Sequence, residues 1–367
     1  MGRAGNHDQP AALRSRRALL PERERLYRRR VLAGRKLVEV RRALAAMLML
    51  AACSSGGAAQ ASPSPSLAVA SPSPSPSPSP SPQPLQRAEP SLPVPVEETA
   101  AAAAGGKLYV MGGFNAAGQS LASVYVFDGT AWASGPRLPL GLDHPSAATL
   151  DDHVYIAGGH SNGADSARLF RLDGDHWTAL ASMHNPRGGH ALIGLSGKLY
   201  AIGGNTSRGN VAPVESFDPT ANTWTVVASL PQPRNHVMGF VGGGGACVAG
   251  GRSPTTARVD CFDPFSNAWS SVVNLPVATS GGGAIGFENG DVILLGGQDA
   301  NETRIVSEFV YATAQSWSKA GTMLSPRHGF QLAMFGGRAW ACGGGSAPGL
   351  HPVATCTSLG DPASLNG

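Results

Sequence analysis

The sequence predicts an all-β fold, a six-bladed β-propeller with four antiparallel strands per blade. Three observations carry that prediction. Six apolar runs each stop on a pair of glycines, in "KLYVMGG", "HVYIAGG", "KLYAIGG", "ACVAGG", "DVILLGG" and "AWACGG". The pairs begin at Gly112, Gly158, Gly203, Gly250, Gly296 and Gly343, at intervals of 45 to 47 residues, and such a period with strand-like content marks propeller blades. Glycine (48) and proline (29) are abundant among the 367 residues while aromatics make up 6%, which favours short strands joined by turns over helices.

Ahead of the blades lie two segments of other character. Residues 1–42 hold 13 of the 28 Lys and Arg and 4 of the 24 Asp and Glu. "RRALAAMLMLAAC" (Arg41–Cys53) follows this basic stretch with an uncharged apolar run of ten residues and small residues before Cys53. Residues 1–52 therefore read as an export signal, too short in its apolar part to span a bilayer comfortably. Leu50-Ala51-Ala52-Cys53 resembles the bacterial lipobox, which implies lipidation of Cys53; an ordinary secretory signal is the alternative. A mis-assigned start, with the true one near Val31 or Val38, explains the long basic region. Residues 53–84 form a tether: six Ser-Pro units fill Ser71–Pro82, a composition that buries no core and favours extended polyproline II. The expected location is outside the cytoplasm, lipid-anchored to the membrane and holding residues 85–367 away from it. Without the basic leader the chain is mildly acidic, 15 basic against 20 acidic residues, so no nucleic-acid partner is expected.

Within the blades, tryptophan follows at Trp132, Trp177, Trp224, Trp269 and Trp317, 18 to 20 residues after the second glycine. Turn chemistry precedes it, as in "FDGTAW" and "FDPTANTW". Each unit reads as four strands; in the third they are His190–Leu195, Lys198–Ile202, Val214–Phe217 and Thr223–Ala228. The Gly-Gly, the tyrosine before it and the aromatic–Asp…Trp after it resemble kelch repeats over about residues 85–367. The glycines are expected where the chain leaves a sheet close to the next blade, and the tryptophans in the wedge between blades.

The sixth unit lacks its tryptophan strand. Residues Leu85–Ser91 occupy the place of a fourth strand with no blade of their own, so they are expected to complete blade six and close the ring. Cys247 and Cys261, like Cys342 and Cys356, stand 14 residues apart on neighbouring antiparallel strands, so two intra-blade disulfides are expected; a metal site is the rival, but the two pairs lie on separate blades.

The 4–1 loops, nearest the axis, read "NPRGGH", "QPRNH" and "SPRHG". Arg187, Arg234 and Arg327 each lie 16 residues before a glycine pair. That common register places three guanidiniums at one channel mouth, with His144, His190, His236, His328 and Asn235 nearby and Glu97 and Glu98 in blade one. Such a rim suits a carboxylate or other anion. The alternative is that the arginines bond backbone carbonyls between blades. Gly159-His160-Ser161-Asn162-Gly163 matches G-x-S-x-G but lies in a blade loop, without the strand–turn–helix that presents a nucleophile. "GGGGACVAGGR" lacks the Lys-Ser/Thr of a phosphate loop.

No catalytic residue, metal cluster or cofactor is expected. The leading functional reading is a monomeric binding module for a protein, peptide or glycan. Resemblance to exported six-bladed kelch proteins implies an alternative, sialic-acid mutarotase chemistry with Glu97, Glu98 and the Arg/His rim. Copper radical oxidase chemistry needs a Tyr/His/Cys site that these residues do not assemble.

Overall fold

The computed structural model describes residues 85–313 and 316–361. The expected signal, the tether and Cys53 lie outside the described residues. The described residues form six antiparallel blades of four strands each, one of them with a short fifth strand, and a separate two-stranded hairpin, His160–Ser161 with Ala164–Asp165; they contain no α-helix. Blade 1 runs Ala100–Ala104, Lys107–Met111, Val124–Phe127 and Trp132–Ser134, and blade 4 runs Met238–Gly242, Gly245–Ala249, Val259–Asp263 and Ala268–Val272. In blade 3 the second strand, Lys198–Thr206, continues through its glycine pair, because its loop folds back and pairs with Gly209–Asn210.

Six apolar clusters fill the six wedges between neighbouring blades. Each of the five tryptophans packs in a wedge and donates its indole N–H to a carbonyl of the preceding blade: Trp177 to Pro136 at 2.8 Å, Trp224 to Ala181 at 2.7 Å. A buried indole finds a hydrogen-bond partner, and here the partner stitches two blades together.

Closure follows the expected route. Gln86–Glu89 pairs antiparallel with Cys356–Leu359 and forms the outer strand of blade 6. Gln86 stands opposite Leu359, the register that Trp224 holds opposite Phe217. Its side-chain amide takes over the missing indole bond, donating to the Thr322 carbonyl at 2.9 Å. On the other side of the seam, Trp132 donates to the Pro90 carbonyl at 2.8 Å.

The glycine pairs have one physical explanation. The second glycine of each pair donates its N–H to a carbonyl of the next blade, as from Gly113 to Leu142 at 2.7 Å and from Gly344 to Val96 at 2.8 Å. A Cβ on the first, Gly112 at φ 65°, would lie 2.7 Å from that same Leu142 oxygen. Both disulfides join directly opposed residues of the second and third strands, with Cα separations of 4.0 Å for Cys247–Cys261 and 4.1 Å for Cys342–Cys356.

Candidate functional site

The site is built from the loops that enter each inner strand. In every blade one residue of that loop has a left-handed backbone: Glu98, His144, Gly189, His236, Gly281 and Gly329, with φ between 51° and 69°. Their peptide groups form a ring around the axis. His144 N–H donates to the Glu98 carbonyl, Gly189 to His144, His236 to Gly189, Gly281 to His236 and Gly329 to Gly281, at 2.6 to 3.1 Å. Thr99 N–H closes the circle on Gly329 at 3.2 Å. The left-handed turn aims each N–H at the neighbouring blade, and glycine adopts it without steric cost.

One residue earlier, short bridges tie this loop to the residue two places after the first glycine: Glu97 to Phe114, Asp143 to His160, Asn235 to Arg252, Ser280 to Gln298 and His328 to Gly345. These two tiers line the mouth. The resulting cavity has a volume of about 310 Å³ and draws side chains from blades 1, 2, 4, 5 and 6, including Glu97, Glu98, Phe114, His144, Arg252 and His328.

The expected arginine rim requires correction. Arg187, Arg234 and Arg327 are fully buried and do not line this cavity. Arg187 Nη2 lies 2.8 Å from Glu215 Oε1, and its Nη1 donates to the Gly203 carbonyl at 3.1 Å. Arg234 Nη1 lies 3.0 Å from Asp260 Oδ2, and its Nε donates to the Gly250 carbonyl at 2.6 Å. Arg327 has no such carboxylate; its Nη1 donates to Gly343 O at 2.8 Å and to Thr355 O at 2.5 Å, and its Nη2 to the Thr355 hydroxyl at 2.9 Å. All three guanidiniums hold the carbonyls where the second strand ends, which fills the blade interior and leaves the mouth to other residues.

The histidines and glutamates do converge. Glu98 Oε2 is 3.5 Å from His144 Nε2, and its Oε1 is 3.7 Å from His328 Nδ1. Glu97 Oε1 is 3.2 Å from His328 Nε2, and its Oε2 accepts the His351 N–H at 2.7 Å. Asn235 Oδ1 accepts from His236 Nδ1 at 2.6 Å. The sequence suggested no metal-ligand cluster, yet two sets, Glu98–His144–His236 and Glu97–Glu98–His328, each place three potential ligand atoms within 4.8 Å of one another.

The two neighbouring carboxyls titrate in opposite directions. Burial pushes Glu97 up to about 7, against the pull of His328. Burial also acts on Glu98, but His144, His328 and His236 outweigh it and hold that carboxyl below the usual range. Burial would lower His144 and His328, yet their acidic neighbours leave both raised. Burial drives His236 well below its ordinary value.

His190 lies apart from the mouth. It is 5% exposed, neither ring nitrogen has a partner among the described residues, and it lines a smaller cavity of about 70 Å³ beneath the ring. Gln331 divides the channel there, donating to the Ala147 carbonyl at 2.6 Å and accepting the Ala147 N–H at 3.0 Å. Beyond it the opposite end is lined mainly by Ala, Leu, Ile and Gly. Sequence reasoning missed Arg252, Phe114, Gln298 and Glu302. The first three share a signal, a position two residues after the first glycine of a pair; Glu302 has no such register.

Comparison with known proteins agrees with this architecture. Residues 84–229 match the KLHDC2/KLHL20/DRC7 Kelch-repeats domain model. The chain is 39% identical over 109 residues to Kelch repeat and BTB domain-containing protein 13 of Homo sapiens, covering 28% of this chain and 24% of that one. It is 31% identical over 180 residues to Kelch-like protein 25 of Xenopus tropicalis, covering 45% of this chain and 30% of that one. The matched region thus spans less than a third of either relative. Among solved structures, the "Structure of YjhT" superposes with a TM-score of 0.64 at 17% identity, covering 74% of this chain and 97% of the other. These findings support a kelch-repeat family for this chain, and its fold is a six-bladed kelch-type β-propeller.

Proposed function

We propose that this chain is an interaction module, binding a protein, peptide or glycan on the face that carries its 4–1 and 2–3 loops. A polar group of the ligand enters the mouth cavity. One observation carries this reading: side chains of five blades converge on a concave site of about 310 Å³, near the lower end of small-ligand pockets. Phe114 and Leu350 supply apolar walls, and Arg252, Gln298 and the glutamates supply hydrogen-bonding groups. That mixture suits a sugar ring or a polar side chain. Export and lipid anchoring at Cys53 belong to the same proposal and rest on the leader and tether sequences; loss of labelled-lipid incorporation in Cys53→Ser tests them. For the ligand site, glycan and peptide arrays probed with the full chain and with Phe114→Ala and Arg252→Ala are the test. A ligand whose binding drops at least about tenfold in both variants, roughly 1.4 kcal/mol, supports the site. Binding indifferent to both places the ligand elsewhere.

A second reading is enzymatic. Sugar ring opening needs a proton donor at the ring oxygen and an acceptor at the anomeric hydroxyl. Glu97, raised to about 7, stands beside Glu98, held ionised; carboxyls whose environments separate their titrations suit such paired roles. Accelerated anomer exchange of sialic acid, lost in Glu97→Gln, supports the reading, and no acceleration by the native chain removes it.

A further inference from the structure

The left-handed ring contains an anomaly. Blades 3, 5 and 6 meet its backbone demand with glycine, whereas blades 1, 2 and 4 use Glu98, His144 and His236, at φ 53°, 51° and 51°. A side chain held in that region is strained, and such residues gather at functional sites. The glycines also make room for them. A Cβ at Gly189 would lie 2.9 Å from His236 Nδ1, and one at Gly329 would lie 2.8 Å from Glu98 Oε1.

The two imidazoles are oriented alike. His144 Nδ1 is 2.7 Å from Asp143 Oδ1, and His236 Nδ1 is 2.6 Å from Asn235 Oδ1. Each residue just before the histidine thus accepts the hydrogen bond from Nδ1–H, and Asp143 itself accepts from the Ser120 hydroxyl at 2.5 Å. Nε2 of each ring is left to face the cluster. Fixing the far ring nitrogen in this way is how metal-ligating histidines are oriented. Two imidazoles and one carboxylate form a three-ligand set that leaves a coordination position open.

We propose that Glu98 and the Nε2 atoms of His144 and His236 bind a divalent transition-metal ion on the propeller axis, with an open position toward the mouth cavity. Arg252 is the built-in competitor. Its Nη2 lies 2.9 Å from His236 Nε2, while its Nη1 lies 2.8 Å from Glu302. Metal loading displaces the first contact, and Glu302 retains the guanidinium. This site goes beyond the ligand reading and stands without it.

The test is titration of the full chain with Co²⁺ after chelator treatment, followed by visible absorbance and equilibrium dialysis. The expected result is saturation at one equivalent. Glu98→Gln and His144→Asn, the latter because Asn tolerates the left-handed region, each lower affinity at least about tenfold. Arg252→Ala raises affinity, since a cation competing for Nε2 is gone; this partly exposed position keeps the test open if the buried variants fail to fold. No saturable binding, binding unchanged by Glu98→Gln and His144→Asn, or weaker binding in Arg252→Ala overturns the proposal.

Discussion

Two positions of the inner loop, only two residues apart, have opposite fates. Arg187 and Arg234 precede Gly189 and His236 by two residues and are wholly buried among carbonyls and carboxylates of their own blades. The residues that follow form the axial ring, where Glu98, His144 and His236 carry side chains into the cluster. The first position is buried in all six blades: Arg187, Arg234 and Arg327 hold the carbonyl where the second strand ends, Thr279 does so through its hydroxyl, and Val96 and Leu142 fill the same place in blades 1 and 2. The second varies from blade to blade while its backbone does not. In a repeat protein, recurrence marks the scaffold, and departure at a backbone-constrained position marks the site.

The largest expected effect breaks the first position. Arg187→Ala leaves Glu215 fully buried without its cation, and removing one partner of a buried ion pair costs about 3–5 kcal/mol. Urea unfolding should show that loss, with ligand affinity unchanged at temperatures where the variant stays folded. A drop in affinity without a drop in stability would return the arginine to the binding site. Arg327→Ala sharpens the contrast. Its guanidinium bonds carbonyls and a hydroxyl, so no carboxylate is stranded and the cost falls to about 1.5–3 kcal/mol. An equal loss in both variants would show that the carboxylates add nothing.

The ring of six sheets was legible in the sequence because glycine pairs and tryptophans answer to local geometry repeated six times. A glycine pair is demanded wherever one blade's strand end meets the next blade's carbonyl, so its spacing reports the architecture directly. The site was legible only in part. Glu97, Glu98, His144, His236 and His328 were found by register, but the same register promoted the arginines, since position along the chain does not say whether a long side chain turns inward or toward the axis. Arg252 and Phe114 were missed because the residue type two places after the first glycine changes from blade to blade, and only the bridges Asn235–Arg252 and Glu97–Phe114 reveal that this fixed position meets the mouth.

A smaller effect is expected at the seam. Gln86 replaces an indole that packs and donates with an amide that donates to Thr322 O at 2.9 Å and accepts the Leu324 N–H at 2.5 Å. Gln86→Ala removes both bonds at a partly exposed strand, at a cost of about 1 kcal/mol. Hydrogen exchange should quicken first in Cys356–Leu359, the strand it covers. Unaltered exchange there would mean that backbone pairing alone closes the ring.

The last effect is linked to pH and concerns Glu97, one residue before the ring. Glu97 is 2% exposed and its carboxyl is raised to about 7, so between its ordinary value of 4.5 and 7 the folded chain binds a proton that the unfolded chain does not. Stability linked to this group is therefore full at acid pH and declines as pH rises toward 7. The same deprotonation adds a negative charge to the mouth beside Glu98, so an anionic ligand should bind a few-fold more weakly above pH 7 than below it. Glu97→Gln fixes the neutral form, flattens both dependences and leaves the cavity its size. If the native pH profile survives that exchange, proton uptake at the mouth belongs to His144 or His328, whose ring nitrogens lie 3.5 and 3.7 Å from Glu98.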